Sequence, residues 1–549
     1  MMTSQPRYAA LAIASIRAGA LALVAALYFL GLGNGSLWDN SEPTYGEVVK
    51  EMFLTRDWLS LHYNFAPWYI HPPLWFWTAG AAVIAFGLNE FAVRLPSALF
   101  GVFGAVATYF AGRRLFGETA GIVGGLALGT SLEYIVLARL AILDTMLIFF
   151  IAVATLWGYF ALRDGDRRAF WIAVVATALG AMTKGPVALV LPVISLGAWY
   201  LIEWWRHRAD SGAPADGFDA SVITRLPWLG GIVLFVVLGG SWFVSQAVLH
   251  GAPFVDEYIG RSTFGRYLAP FENQPGPIYY YVPLLLLGFF PYVAFLPKAI
   301  KEAWLQRSRD DVFLLCAASV PFLFFSLAQT KLPNYIAIIF PALSILVGGL
   351  VGRAIERNNL RTLRGALLML PLALVLLAVA IVLYVQTQRL GQTAQLVAPL
   401  ALLGWIVVPS AITTFGLTLA LRRAWIAPLG LSLMMGGVVA ALVLGILPGL
   451  ETRKPMKGMA TYIQSLWRPG DTIAITGVHG GFSLLFYTNA GPVSFLRTET
   501  DKANADALFK GSDRVYALIV PYEYADLKAR GINARILLRR PDMWLITNR

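Results

Sequence analysis

Apolar residues dominate the chain in long runs, broken by short polar groups at irregular intervals. The runs occupy 12–32, 72–88, 95–112, 120–138, 141–162, 170–182, 187–204, 228–249, 279–295, 312–327, 335–351, 367–385, 397–421 and 426–447. A helix that crosses a membrane needs about 20 such residues at roughly 1.5 Å each. Residues 1–450 therefore predict a polytopic bundle of transmembrane helices. The run 72–88 is the least suited to cross, because it opens on Pro72-Pro73 and ends at Asn89-Glu90. Left on the surface or half-inserted, it reduces the crossings to about thirteen.

After Pro448 the pattern changes. An amphipathic stretch at 459–466 leads into short apolar or alternating runs at 472–476, 484–487, 515–520 and 543–547, separated by Pro-Gly, Gly-Gly and Arg-Gly turns. The stretches 501–510 and 522–529 predict helices. Residues 451–549 thus predict a small α/β domain facing water. The segment 33–88 predicts a long first loop, within which 47–54 reads as an amphipathic helix lying along the membrane surface.

Charge orients the bundle. The 549-residue chain carries a formal charge of +12, yet only 13% of it is charged, about half the share of a soluble chain. Its basic residues form short groups between apolar runs, which argues for bias across a bilayer and against nucleic-acid binding. With 72–88 not crossing, the groups at 113–114, 163–168, 206–225, 298–309, 353–364 and 422–423 join Arg7 on one side, 19 Lys and Arg in all. That side is expected to be cytoplasmic. The first loop, the turns at 138–144 and 182–186, the loop 251–278, the segment 329–334 and the C-terminal domain then face outward. The N-terminal run is expected to be a retained first helix. Cys316 stands alone inside an apolar run, so no disulfide framework is expected.

The outward side holds the polar residues that stand out. An ionisable residue in or beside a membrane bundle is costly and becomes a functional candidate by default. Asp39, Glu42, Glu47 and Glu51 crowd the first loop. A solvated helix face capped by Ser41 or Glu42 accounts for such a cluster. Equally, Asp39 or Glu42 at the mouth of the bundle suits a general base, since a low dielectric raises a carboxyl pKa. Asp144 follows Arg139 in an apolar stretch, either as its ion-pair partner or as a second site carboxylate. His71, Lys184, Arg261, Arg266, Lys331 and Tyr335 are phosphate-binding candidates, against the plainer reading that they meet bulk lipid headgroups. No paired His or Cys predicts a protein-built metal site, and no cofactor is expected. There is no phosphate loop, dinucleotide fingerprint or nucleophile elbow. On this face neither ATP nor a cytosolic nucleotide sugar is at hand, so a lipid-carried activated substrate fits best.

Several strings resemble a known family. They are Trp38-Asp39-Asn40-Ser41-Glu42-Pro43-Thr44-Tyr45-Gly46-Glu47, His71-Pro72-Pro73-Leu74-Trp75, Arg94-Leu95-Pro96-Ser97, Gly112-Arg113-Arg114-Leu115-Phe116-Gly117, Ala138-Arg139-Leu140-Ala141-Ile142-Leu143-Asp144, Thr183-Lys184-Gly185-Pro186 and Thr330-Lys331-Leu332-Pro333-Asn334-Tyr335. Together they resemble the polyprenyl-phosphate-dependent glycosyltransferases of the GT-C fold, related to the aminoarabinose transferase of lipid A and the protein O-mannosyltransferases. The resemblance implies transfer of a sugar from an undecaprenyl-phosphate donor to a lipid A, glycan or protein acceptor at the outer face of the bacterial inner membrane. It implies site roles for Glu42 or Asp39 and for Asp144, and phosphate contacts in the 331–335 motif. The aminoarabinose transferases read Asp-Glu-Pro-Arg-Tyr-Ala-Glu in the first loop. Their Asp falls here on Ser41 and their Arg on Thr44, while Glu42 is kept. Their Glu-Lys-Pro-Pro is here Ile70-His71-Pro72-Pro73, closer to the O-mannosyltransferases. A ligase for lipid-linked oligosaccharide stays open as a rival, as does a lipid-linked sugar transporter or flippase. The transporter would need paired polar residues at mid-membrane and two halves with broken helices.

Overall fold

The computed structural model describes residues 5–38, 41–209, 219–268, 275–364, 394–451, 454, 456–476, 481–489, 491–496, 499–541 and 543–549. Among these, eight helices are long and apolar enough to cross a membrane: Leu11–Phe29, Glu90–Phe116, Asp144–Asp164, Val187–Arg208, Trp228–His250, Arg309–Leu327, Pro333–Glu356 and Ile426–Glu451. Two bent pairs raise the number to ten if each is one span. Glu118–Gly129 meets Leu132–Arg139 at 61°, and Tyr281–Gly288 meets Tyr292–Gln306 at 108°. In the second pair Pro291 sits at the break, where it supplies no backbone N–H to continue a helix. Three further runs enter the expected count of thirteen. The run 170–182 lies in helix Arg167–Lys184, which carries charge at both ends. The run 367–385 lies outside the described residues, and 397–421 falls in helix Ala394–Ala420, described in part.

Helix boundaries follow ordinary capping chemistry. Asn89 accepts from the Ala92 N–H at 2.9 Å, Asp166 from those of Arg168 and Ala169, and Ser308 from that of Asp311. At the other ends, cations serve carbonyls that have no helical partner. Arg139 donates to the Leu27, Tyr28 and Leu30 carbonyls at the end of the first helix, at 2.7, 3.0 and 2.8 Å. It does not pair with Asp144.

Helix Leu74–Phe86 has 13 residues. At roughly 1.5 Å per residue it falls well short of a hydrocarbon core of about 30 Å. Its Trp75 and Phe76 are buried against the first loop. The loop helix runs Ser41–Thr55 and departs from the sequence expectation. It is not a solvated helix on a membrane surface: Glu42, Glu47, Lys50 and Glu51 are all buried. The C-terminal region covers it. Lys50 donates to the Thr488 carbonyl at 2.8 Å and to that of Leu485, and the Leu37 N–H donates to the Tyr487 hydroxyl at 2.8 Å. Asn64 exchanges two hydrogen bonds with the Val493 backbone, at 2.9 and 2.8 Å.

That C-terminal region is built on one five-stranded sheet, in the order Val493–Leu496, Thr472–Thr476, Val515–Ile519, Trp544–Thr547, Arg535–Arg539. The first three strands are parallel and the last two join antiparallel. Alternation along Thr472–Thr476 sends Ile473 and Ile475 to one face, with Met459 and Ile463, and Ala474 to the other, with Phe509 and Leu527. Residues 484–487, read with the other short runs, instead form the helix Ser483–Tyr487, whose Phe486 packs against the first loop. The strands Val493–Leu496 and Arg535–Arg539 carried no sequence expectation. The first has only two of its four positions buried, and the second starts and ends on exposed arginines.

Candidate active site

Two cavities lie side by side beneath the first loop. One, of about 490 Å³, is the more polar: Ser41, Glu42, Tyr45, Glu133, Asp144 and Asn334 stand on its wall among apolar side chains such as Leu137, Leu140 and Leu284. The other, of about 580 Å³, is mostly apolar, walled by Leu147, Val187, Val190, Phe324, Phe325 and Ile338 with Tyr258, Ser262, Thr263 and Tyr335. Among the described residues, only His71 and Lys184 line both.

Local sequence explains why these two meet there. Lys184 ends helix Arg167–Lys184, where the C-terminal end of the macrodipole favours a cation. Gly185 follows at φ +83°, a conformation that costs any other residue, and Pro186 then precedes helix Val187–Ala209. A Cβ on Gly185 would also lie 2.1 Å from the Tyr258 hydroxyl, so the glycine lets the loop approach the lysine. His71 precedes Pro72-Pro73 and is buried among rings. Its Nε2 is 2.9 Å from the Tyr45 hydroxyl, and Tyr45 and Trp68 meet it edge-on at 5.5 and 5.6 Å.

The two carboxylates the sequence singles out on this wall differ in what remains of them. Asp144 is the first residue of helix Asp144–Asp164. Its Oδ1 accepts from Lys184 Nζ and Asn334 Nδ2, both at 2.8 Å. Its Oδ2 has no hydrogen-bond partner among the described residues. Glu42 is buried and engaged at both oxygens. Oε1 accepts from Arg94 Nε at 2.8 Å and the Ala141 N–H at 2.6 Å, Oε2 from Arg94 at 3.0 Å and the Trp38 N–H at 2.7 Å. Arg94 in turn donates to the Leu32, Asn34, Gly35 and Ser36 carbonyls. Four donors fill the acceptor capacity of a carboxylate, so Glu42 organises the loop and has no lone pair left for a substrate proton. Asp39 lies outside the described residues; its described neighbours Trp38 and Ser41 line the polar cavity.

The remaining candidates divide sharply. Tyr335 lines the apolar cavity and lies under Lys184, 5.3 Å from Nζ to ring centre. Lys331 is on neither wall. Its three N–H donors go to the Phe325, Ser326 and Ala328 carbonyls at 2.9, 2.6 and 2.6 Å, closing the end of helix Arg309–Leu327. Lys331 thus caps a helix here, with its three donors engaged by carbonyls. Arg261 is exposed, lines neither cavity and lies 3.5 Å from Glu257, so it is not brought to the site. The side chain of Arg266 lies outside the described ones. Among the described residues no three His, Cys, Asp or Glu side chains gather as a metal site.

Two wall residues escaped the sequence reading. Asn334 sat inside a noted motif, but its partner Asp144 is 190 positions away. Glu133 stood as a lone acid in the apolar run 120–138, a signal that was legible and went unused.

Burial pushes the Glu47 carboxyl up to about 7 despite Lys50 at 2.7 Å, and burial raises Glu51 as well. Both sit on the loop helix, on the side away from the cavities' junction.

Residues 70–238 match the family of dolichyl-phosphate-mannose-protein mannosyltransferases. Over 543 residues the chain is 26% identical to the undecaprenyl phosphate-alpha-4-amino-4-deoxy-L-arabinose arabinosyl transferase of Erwinia tasmaniensis, covering 95% of this chain and 90% of that one. A second transferase of that name, from Sodalis glossinidius, is 29% identical over 443 residues, 78% of this chain and 76% of that one. The fold matches the crystal structure of ArnT from Cupriavidus metallidurans bound to undecaprenyl phosphate with a TM-score of 0.81, at 21% identity, over 96% of this chain and 97% of the other. With that fold and those relatives, the chain is a multi-pass GT-C glycosyltransferase related to the ArnT-type lipid A aminoarabinose transferases and to the protein mannosyltransferases.

Proposed function

We propose that the protein transfers a sugar from undecaprenyl phosphate to a lipid A, glycan or protein acceptor at the outer face of the inner membrane. The observation that carries this reading is the junction itself: a polar and an apolar cavity share two side chains, His71 and Lys184. A lipid-linked sugar has the same order of parts, a polar sugar, an anionic phosphate and an apolar chain. The tail comes from the bilayer and is matched by the apolar cavity, where it strands no polar group, and the sugar is matched by the hydrogen-bonding groups of the polar one. The phosphate then falls between them.

In the transfer an acceptor oxygen bonds to the anomeric carbon while the bond from that carbon to the phosphate oxygen breaks. The bonding pair leaves with polyprenyl phosphate, whose added charge His71 and Lys184 offset. The acceptor proton passes to a carboxylate. Asp144, with Oδ2 open to the cavity, orients the acceptor hydroxyl, and Asp39 in the first loop is the second acid in this scheme. Lys184 aligns Asp144 through their 2.8 Å contact.

The proposal extends to topology. Residues 1–450 are the transmembrane part and 451–549 an extracytoplasmic domain, with thirteen crossings and a cytoplasmic N-terminus. The bias of basic residues to one side supports that orientation. Purified protein in nanodiscs, given an undecaprenyl-phosphate-linked sugar and envelope extract, is expected to release undecaprenyl phosphate and extend an acceptor. Asp39→Asn is expected to lose that release. No release by the wild type with any lipid-linked sugar would overturn the reading.

A further inference from the structure

Glu133 stands on the wall of the polar cavity with no part in the transfer chemistry above. It lies in the first turn of helix Leu132–Arg139, just beyond the 61° bend, and the Leu132 N–H is tied to the Phe290 carbonyl at 3.0 Å. This tie presses the carboxylate against Gly288. A Cβ there would fall 2.1 Å from Glu133 Oε2, so the absence of a side chain at 288 makes room for the acid.

The carboxylate has no protein partner. It makes no hydrogen bond or ion pair with any described residue, and Oε1 is sealed from solvent without one. The other charges on this wall are answered. Arg94 pairs with Glu42, Lys184 with Asp144, and His71 shares a hydrogen bond with Tyr45. An acid left unanswered in a membrane bundle is costly, and such costs persist at functional sites. A phosphate is the wrong partner, because it repels a carboxylate and offers no donor when ionised. The matching chemistry is a group that donates hydrogen bonds.

We propose that Glu133 is a specificity residue that accepts a hydrogen bond from a hydroxyl or ammonium group of a substrate in the polar cavity. The assignment rests on the glycosyl-transfer reading. It places the donating group beside Glu133 and Gly288, which line the same cavity as His71 and Lys184. The group belongs either to the transferred sugar or to the acceptor, and kinetics separate the two.

The test compares wild type, Glu133→Ala, Glu133→Gln and Glu133→Asp in the full-length protein in nanodiscs. KM and kcat are measured separately for an undecaprenyl-phosphate-linked sugar and for the acceptor, beside the melting temperature. Glu133→Ala is expected to raise the KM of one substrate roughly tenfold to a hundredfold, with the melting temperature unchanged or higher and partial recovery in Glu133→Asp. A rise confined to the lipid-linked sugar assigns the group to the sugar, and a rise confined to the acceptor assigns it there. Glu133→Gln retains binding if the partner is a hydroxyl and loses it if the partner is an ammonium. Unchanged KM values, or a fall in kcat that only follows a fall in melting temperature, overturn the role of Glu133. An inactive wild type overturns the transfer reading and this assignment with it, whereas an active wild type with indifferent variants overturns this assignment alone.

Discussion

The polar and the apolar cavities are close in size, about 490 and 580 Å³, and differ in almost everything else. The polar one gathers acids and amides from four distant parts of the chain: the first loop, residue 133, the start of helix Asp144–Asp164 and the 331–335 motif. The apolar one is formed by helix flanks and by hydroxyl-bearing residues of the loop after Trp228–His250. His71 and Lys184 sit where the two meet. A cation at such a boundary acts in a lower dielectric than one at a lipid surface, so it holds an anion more strongly. The difference also separates these two from other cations near the first loop. Lys331 and Arg139 end on backbone carbonyls, where they complete helix ends, and Arg94 is divided between Glu42 and the carbonyls of the loop.

The same contrast divides the two carboxylates of the polar wall, and mutation separates them. Asp144→Asn is expected to lower transfer roughly 10²–10⁴-fold while leaving the melting temperature near that of wild type. A turnover equal to wild type would remove Asp144 from the chemistry. Glu42→Gln is expected to act the other way round. It leaves Arg94 buried without its charge partner, a loss of about 3–5 kcal/mol, read as a lower melting temperature and poor recovery from detergent. A stable, inactive Glu42→Gln protein would return Glu42 to the catalytic candidates.

Smaller changes probe the junction and its surroundings. Gly185→Ala strains a left-handed position and drives a Cβ into Tyr258, which is expected to cost about 1–2 kcal/mol and to raise the KM for the lipid-linked donor. An unaltered KM would show that the loop's approach to Lys184 is dispensable. Glu47 offers a pH test at the seam between loop helix and C-terminal domain. Its carboxyl is raised to about 7 by burial, so the folded protein binds the proton more tightly than the unfolded chain does. The associated stability is full below the ordinary glutamate value of about 4.3 and is lost as pH rises through about 7. Melting temperatures between pH 5 and 8 (roughly the window those values define) are expected to fall for wild type and to stay flatter in Glu47→Gln. Equal slopes would refute that account. The smallest effect is expected of Arg261→Ala, which sits exposed outside both cavities. Transfer within about twofold of wild type fits a rim side chain, and a large loss would bring Arg261 itself into the site.

Much of the site was legible because the membrane makes polar residues conspicuous. Asp144, His71 and Lys184 each interrupt or end an apolar run, and each reaches a cavity wall. Other residues with the same signature went elsewhere. Lys331 lies one position from Thr330, a residue of the apolar wall, yet its donors turn back to carbonyls three to six positions earlier. Glu42 looked like a base at the bundle mouth, but its role depends on Arg94 and the Ala141 N–H, 52 and 99 positions away. The loop helix was read correctly as a helix with acids on one face. Its surroundings were not, because the covering surface comes from residues more than 400 positions later.

The sequence alone determined what the hydrophobic effect and backbone hydrogen bonding in lipid dictate locally: long apolar runs become helices, and the short alternating runs after Pro448 supply strands of a five-stranded sheet. It also identified the polar residues whose placement carries a cost. Only the tertiary structure decided how that cost is met, since Glu42, Lys50 and Asp144 are answered by partners brought from distant parts of the chain. The same packing left Asp144 with one oxygen open and Glu133 with no hydrogen-bond or ion-pair partner among the described residues.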